Sequence, residues 1–204
     1  MAFVSDEHKL VFVHITKTGG TSISVALADA HGAELLGSRD RLEWSGIGGD
    51  VPPEYRPGGI EVHSTIREIH DKHPASKNYL SFCVIRNPWE RIFSFYQHKK
   101  RIEDAALPPG DFAEAFKASN FLVLQPQSWW MRGSSGEIEI DHVVRMENLR
   151  DGFAQVMAAA GIDAELPHLN RSEPKCYRDH YDSYSRDLIG EFYRHEIELF
   201  GYEF

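Results

Sequence analysis

Within Leu10–Gly32, LVFVHITKTGGTSISVALADAHG, the run Lys17, Thr18, Gly19, Gly20, Thr21 and Ser22 has the residue types of an anion-binding loop. Consecutive glycines let a backbone approach an anion closely, and the hydroxyls of Thr21 and Ser22 add donors. Ahead of a helix, such a loop offers N–H groups at the positive end of the helix dipole, which suits phosphate or sulfate. The order of residues does not match the ATP-type loop G-x-x-x-x-G-K-[ST], because Lys17 stands before Gly19 and Gly20 instead of after them. The same residues also fit a plain turn in which Thr21 caps a helix and Lys17 is solvated.

A second cluster lies in FCVIRNPWERIFSFYQHK, where Arg86 ends an apolar run and Ser94 falls two turns into the helix that follows. A guanidinium fork and a hydroxyl make a seat for another phosphate. Taken singly, Arg86 also fits a structural ion pair and Ser94 a small residue at a helix contact. Two such sites on successive β-α units point to a nucleotide with phosphates at both ends of its ribose. Between the clusters stand His63, His70 and His73, whose imidazoles titrate in the range a general base needs. No cysteine or carboxylate completes a metal-ligand spacing with them.

These residues need elements to hold them. Leu10 to Ile15 and Tyr79 to Arg86 read as buried strands, and IEIDHVVRM as a third. Ile23, Ala26, Leu27 and Ala30 fall at helical spacing with Gly32 as a stop, and EVHSTIREIHDKHP predicts a short helix closed by Pro74. Asn87, Pro88 and Glu90 form an N-terminal signature, with Glu90 as the returning member of a capping box, for a helix through WERIFSFYQHKKRIEDA. A weaker helical stretch runs from Phe112 to about Leu124, before the aromatic QSWWM and the turn RGSSGE. Asn148 is placed to cap a helix whose Leu149, Phe153, Val156, Met157 and Ala160 share a face up to Gly161. In the last helix Leu188, Phe192 and Leu199 form the expected core stripe. Gly37 to Gly59 reads as surface loop. Strands alternating with helices imply a central parallel sheet flanked by helices, a three-layer α/β fold in one domain over 1–204.

Bulk composition narrows the partners. The 22 basic and 31 acidic side chains give a formal charge of -9, which disfavours nucleic acid and anionic membranes, so a polyanion must be met by a local basic cluster. Cys83 and Cys176 make no CxxC and fit a reducing compartment. MAFVSDEHKL has no signal-like region, and no apolar run approaches the roughly 18 to 20 residues of a membrane span. The expectation is a cytoplasmic protein.

HITKTGGTSI resembles the 5′-phosphosulfate loop of sulfotransferases that use 3′-phosphoadenosine-5′-phosphosulfate (PAPS), and CVIRNPWERIFSFY resembles their 3′-phosphate segment. The combination VVRMENL, LPHLNRSEPKCYRDHYD and FGYEF resembles the carbohydrate-type branch, which includes heparan and chondroitin sulfotransferases. The family commonly has proline where Thr16 stands, a change that loosens the turn without removing a ligand. The resemblance runs from about Leu10 to Phe204 and implies a P-loop-like fold.

It also implies roles. Lys17 would reach the transferred sulfate and stabilise charge on the leaving oxygen, while the amides of Thr18 to Thr21 with the hydroxyls of Thr21 and Ser22 hold the 5′-phosphate. Arg86 and Ser94 would hold the 3′-phosphate, with Arg171 and Lys175 as further contacts in a loop closing over the nucleotide. His63 occupies the place of the family's catalytic base, with His70 and His73 as competitors. The expected products are a sulfated hydroxyl acceptor, a carbohydrate or small metabolite, and adenosine 3′,5′-bisphosphate, with no metal required. Trp129 and Trp130 read as core or as a stacking platform, and Arg145 with Glu147 as a buried pair beneath the sheet edge. Two other functions fit a strand-loop-helix nucleotide site: a small-molecule kinase using ATP and magnesium, and a nucleotide-binding regulator without catalysis.

Overall fold

The computed structural model describes residues 2–30, 63–103, 116–117, 124–167 and 176–204. The chain folds as two compact units, Met1–Ile85 with Ser128–Leu169, and Arg86–Gln127 with Asn170–Phe204. The Gly37–Gly59 loop, the Gly32 stop, most of Phe112–Leu124, and Arg171 and Lys175 lie outside the described residues.

In the first unit the apolar runs become one sheet in the order β1 (Phe3–Ser5), β2 (Leu10–Val13), β3 (Leu80–Ile85), β4 (His142–Arg145). β2 pairs with β3 and β3 with β4 in parallel, with Val13 opposite Cys83 and Ile85 opposite Arg145. β1 is an antiparallel addition, Phe3 opposite Phe12, so the sheet is mostly parallel rather than wholly so. Its three residues are too few for a period-2 pattern, and the reversal into β2 is made by Lys9 at φ 51 without a glycine to signal it.

Leu10, Phe12, Phe82, Val84 and Val144 line one face and bury against helix α1 (Gly20–Ala30), through Ile23, Ala26 and Leu27. They also meet helix α5 (Leu149–Ala160), through Phe153, Val156 and Met157. Val11, Val13, Cys83 and Ile85 on the opposite face are just as fully buried, as a two-sided parallel sheet requires. Helix α2 (Ile66–Lys72) starts at a Thr65–Glu68 capping box, and Pro74 opens a 3-10 turn over Pro74–Asn78 that delivers the chain to β3. Gly161, at φ 67, ends α5, whereas Asn148 holds the cap position without a side-chain bond.

The second unit holds α3 (Pro88–Glu103) and the C-terminal helices α6 (Ser183–Phe192) and α7 (Arg194–Phe200); the five-residue α4 (Gln127–Met131) begins in it and continues into the first. Its core gathers Trp89, Ile92, Phe93, Phe116, Ile189 and Tyr193. The predicted stripe Leu188, Phe192 and Leu199 does not form it: Phe192 and Leu199 are 52% and 46% exposed. Ser185, Ile189, Tyr193 and Glu196 turn inward instead. The polar members bring their own partners, Tyr193 Oη donating to the Leu124 carbonyl at 2.6 Å, so a stripe that looks less apolar is the buried one. The break at Tyr193 also divides the single helix expected there.

At Gly152 of α5 an added Cβ would stand 2.5 Å from Cγ1 of Val144 on β4, a stiff β-branched side chain in the core. Gly152→Ala should therefore destabilise by about 1 kcal/mol, overpacking outweighing the roughly 1 kcal/mol that alanine gains over glycine in a helix. Urea unfolding checks this, and a gain in stability would show that the helix–strand contact is looser than described.

Candidate active site

β2 and β3 are parallel neighbours, so their carboxyl ends share one sheet edge, the side at which open α/β sheets bind ligands. The glycine loop follows β2, and Arg86 is the residue after β3.

His14, Ile15 and Thr16 leave β2 buried, then Lys17 takes the left-handed conformation at φ 64 and Gly19 follows at φ 77. Lys17 adopts this conformation without being glycine, a strained state of the kind held at ligand sites. Thr18 Oγ1 donates to the Ile15 carbonyl at 2.9 Å and closes the turn. α1 then begins at Gly20, where first-turn amides have no preceding helical carbonyl to meet. The Ser22 amide is the exception, donating to the Gly19 carbonyl at 3.1 Å, so Ser22 has its hydroxyl to offer. The two glycines are needed for different reasons. Gly19 has positive φ and lies under Met146, whose Sδ would be 3.0 Å from an added Cβ, while a Cβ on Gly20 would come within 2.0 Å of His14 Nε2.

His14 connects this loop to the candidate base. His63 Nδ1 lies 2.9 Å from the His14 carbonyl oxygen, which accepts only from a protonated nitrogen. That bond fixes the tautomer, with Nδ1 carrying the proton and Nε2 left as the basic nitrogen. The His14 and His63 rings meet at 4.6 Å between centroids, tilted by 50°. Trp130, fully buried, donates from Nε1 to the His63 carbonyl at 3.2 Å. Burial lowers the pKa of His63 below its ordinary 6.5, partly offset by the bond to His14, and burial pushes His14 well below that value, with the charges of His63 and Lys17 adding to it. Both imidazoles are thus held neutral.

The competing histidines are engaged elsewhere. His70 Nδ1 lies 2.9 Å from Ser76 Oγ, and His73 Nε2 pairs with Asp6 at 2.7 Å. Trp129 and Trp130 divide their roles: Trp130 is core, while Trp129, 39% exposed, packs edge-on against it at 5.2 Å. Arg145 and Glu147 are both exposed, which corrects the expectation of a buried pair; they lie at the end of an edge strand among the described residues.

In the second unit Arg86 is half-buried and its Nη2 donates to Glu90 Oε1 at 2.9 Å, so the structural ion pair is formed. This also corrects the expected capping box: Glu90 turns to Arg86, and the cap is made by Asn87 Oδ1 accepting from the Trp89 amide at 3.1 Å. Ser94 is half-buried on α3. Two residues that support the site escaped the sequence reading. His14 had a signal, a histidine directly after an apolar strand and before the loop. Gln127 had none, since its side-chain amide meets Arg86 across 41 residues of chain.

A family model described as "Sulfotransferase family" matches residues 1–203, and the chain belongs to that family. The mixed α/β architecture with its mostly parallel sheet is the family's P-loop-like fold. Among curated proteins no relative matches the chain. No helix among the described residues is long and apolar enough to cross a membrane.

Three histidines, His14, His63 and His70, have folded-state pKa values below 6.5, lowered by burial. Unfolding below that pH therefore takes up protons, and their contribution to stability is present above pH 6.5 and lost as pH falls toward the folded-state values. Between about pH 5 and 6.5, above the range where carboxylates dominate, denaturation midpoints should fall steadily with pH. A flat profile across that window would mean that the histidines are already protonated in the native state.

Proposed function

We propose that the chain, acting as one sulfotransferase domain over residues 1–204, moves a sulfuryl group from PAPS to a hydroxyl acceptor. The observation that carries this reading is the joint arrangement around His14: its ring lies against Gly20 at the start of α1, and its carbonyl oxygen stands 2.9 Å from His63 Nδ1. In a family defined by sulfuryl transfer, a neutral imidazole at His63 bonded to the residue that follows β2 supports a base acting beside an anion loop.

His63 Nε2 takes the proton of the acceptor hydroxyl as its oxygen bonds to sulfur. The bond from sulfur to the 5′-phosphate oxygen breaks in line, and adenosine 3′,5′-bisphosphate leaves. The Lys17 ammonium stabilises the charge that grows on the leaving oxygen, and the amides of Thr18 to Thr21 with the hydroxyls of Thr21 and Ser22 hold the 5′-phosphate. Arg86 and Ser94 hold the 3′-phosphate, and Arg171 and Lys175 add contacts to it. For the acceptor, the half-exposed ring of Trp129 supports a carbohydrate, since an aromatic face stacks on a sugar. Two free cysteines, Cys83 buried and Cys176 exposed, support a reducing, cytoplasmic setting.

Ligand-induced stabilisation separates this reading from a kinase. Adenosine 3′,5′-bisphosphate at 100 times its Kd should stabilise by about 2.7 kcal/mol, and ATP with magnesium should not; the reverse would assign a kinase. Transfer of sulfur-35 from labelled PAPS to a panel of sugars and phenols separates it from an inert binder. Lys17→Gly should lower turnover about 10²- to 10³-fold while gaining about 0.5 kcal/mol, as relief of the left-handed backbone exceeds the added flexibility of the unfolded chain. His63→Ala should cost about 10²- to 10⁴-fold, and the wild-type acid limb of kcat/KM should lie below pH 6.5. An unchanged pH profile in that variant would remove His63 as the base.

A further inference from the structure

The residue that follows β3 lies past the last paired position of the sheet, yet its peptide is gripped on both sides. Gln127 Oε1 accepts from the Arg86 amide at 2.9 Å, and Gln127 Nε2 donates to the Arg86 carbonyl at 2.9 Å. One side-chain amide thus does for Arg86 what a neighbouring strand does within a sheet. The second Nε2 proton goes to Glu196 Oε1 at 2.7 Å, so the oxygen and both protons of the amide are used. A flipped amide would face the Arg86 N–H with its own donors and Glu196 with its oxygen, and the carboxylate therefore decides the orientation. Glu196 Oε2 also accepts from the Gln127 backbone amide.

Gln127 and Glu196 are both buried, and a carboxylate in such a place needs a counter-charge. Arg91, buried one turn beyond Arg86 on α3, supplies it: Nη1 stands 3.8 Å from Glu196 Oε1, while Nη2 donates to the Gln125 carbonyl at 2.8 Å. The Arg91 guanidinium also lies over the Tyr193 ring, 5.6 Å from its centroid. A charged chain therefore runs from Arg91 through Glu196 and Gln127 to the Arg86 backbone. At the other end of that residue, Glu90 tethers the guanidinium. A core that needed only stability would be served as well by apolar side chains of similar volume.

We propose that Gln127, oriented by Glu196, is a positioning residue that aims Arg86 at the 3′-phosphate and so sets selectivity for nucleotides that carry one. This rests on the PAPS reading above. Gln127 is fully buried and acts through the Arg86 peptide, from which the phosphate-binding side chain departs. The resulting geometry matters because a guanidinium grips phosphate through paired, directional bonds that a small rotation of its backbone would spoil.

The test compares adenosine 3′,5′-bisphosphate with 5′-AMP, which lacks the 3′-phosphate, in calorimetric titrations of the intact chain. Gln127→Met keeps the volume and removes the amide. It should weaken binding of the bisphosphate about tenfold and leave 5′-AMP binding within about twofold, so that the ratio of the two affinities drops. If Gln127→Met does not melt cooperatively, Gln127→Asn, which keeps the amide but withdraws it by one methylene, gives the same comparison. Parallel weakening of both ligands, or an unchanged ratio, would overturn the proposal and leave Gln127 as a structural residue. A wild-type protein that bound both nucleotides equally would instead defeat the PAPS reading, since no 3′-phosphate preference would exist to be positioned.

Discussion

Gly20 pressing on the imidazole of His14 is the contact on which the rest of the first unit's site depends. Helix α1 has to begin where β2 ends so that its free amides face the sheet edge, and any side chain at position 20 would stand within 2.0 Å of the ring. The ring cannot simply move away: it stacks on Phe12 at 5.8 Å, inside the sheet's packed face, and tilts against His63. The missing Cβ, the buried His14 and the His63 ring are therefore one arrangement. In the same loop Lys17 stands at positive φ, and burial keeps the pair of imidazoles neutral. In the proposed mechanism a cation at Lys17 and a proton acceptor at His63 have opposite charge requirements; both residues are half-buried, and burial lowers the pKa of the imidazole.

The second unit solves a different problem with different means. Under the proposed function Arg86 offers a charged, directional group just beyond the end of a strand, where backbone pairing stops. A buried ion pair and a fully used glutamine amide hold that peptide, at the expense of placing charges in a core lined by Trp89, Ile189 and Tyr193. On the proposed function the two units would prepare for an anion differently, one through backbone amides and a strained lysine, the other through a side-chain network.

Much of the scaffold was legible because it rests on local rules. The apolar runs Leu10 to Ile15 and Tyr79 to Arg86, the helix after the glycines and the stop at Gly161 follow from burial and backbone freedom acting on neighbouring residues. What the sequence hid is nonlocal. β1 is too short for a pattern, and Glu90 chose Arg86 over its own helix cap. In the C-terminal helices the inward stripe includes Tyr193 and Glu196, whose burial makes sense only through Leu124, Gln127 and Arg91. Of the proposed site, the loop and Arg86 could be picked out from residue type and spacing, and His63 from its position between them. The tautomer of His63 could not, because it depends on a carbonyl 49 residues away.

The most direct measurement is a titration of the ¹⁵N-labelled chain with adenosine 3′,5′-bisphosphate followed by two-dimensional NMR. The account requires the Gly19, Gly20 and Thr21 amides and the Arg86 side chain to shift together, saturating at one ligand concentration, while His63 stays in the form protonated at Nδ1. Shifts that leave the glycine loop unmoved, or a His63 protonated at Nε2 instead, would contradict it.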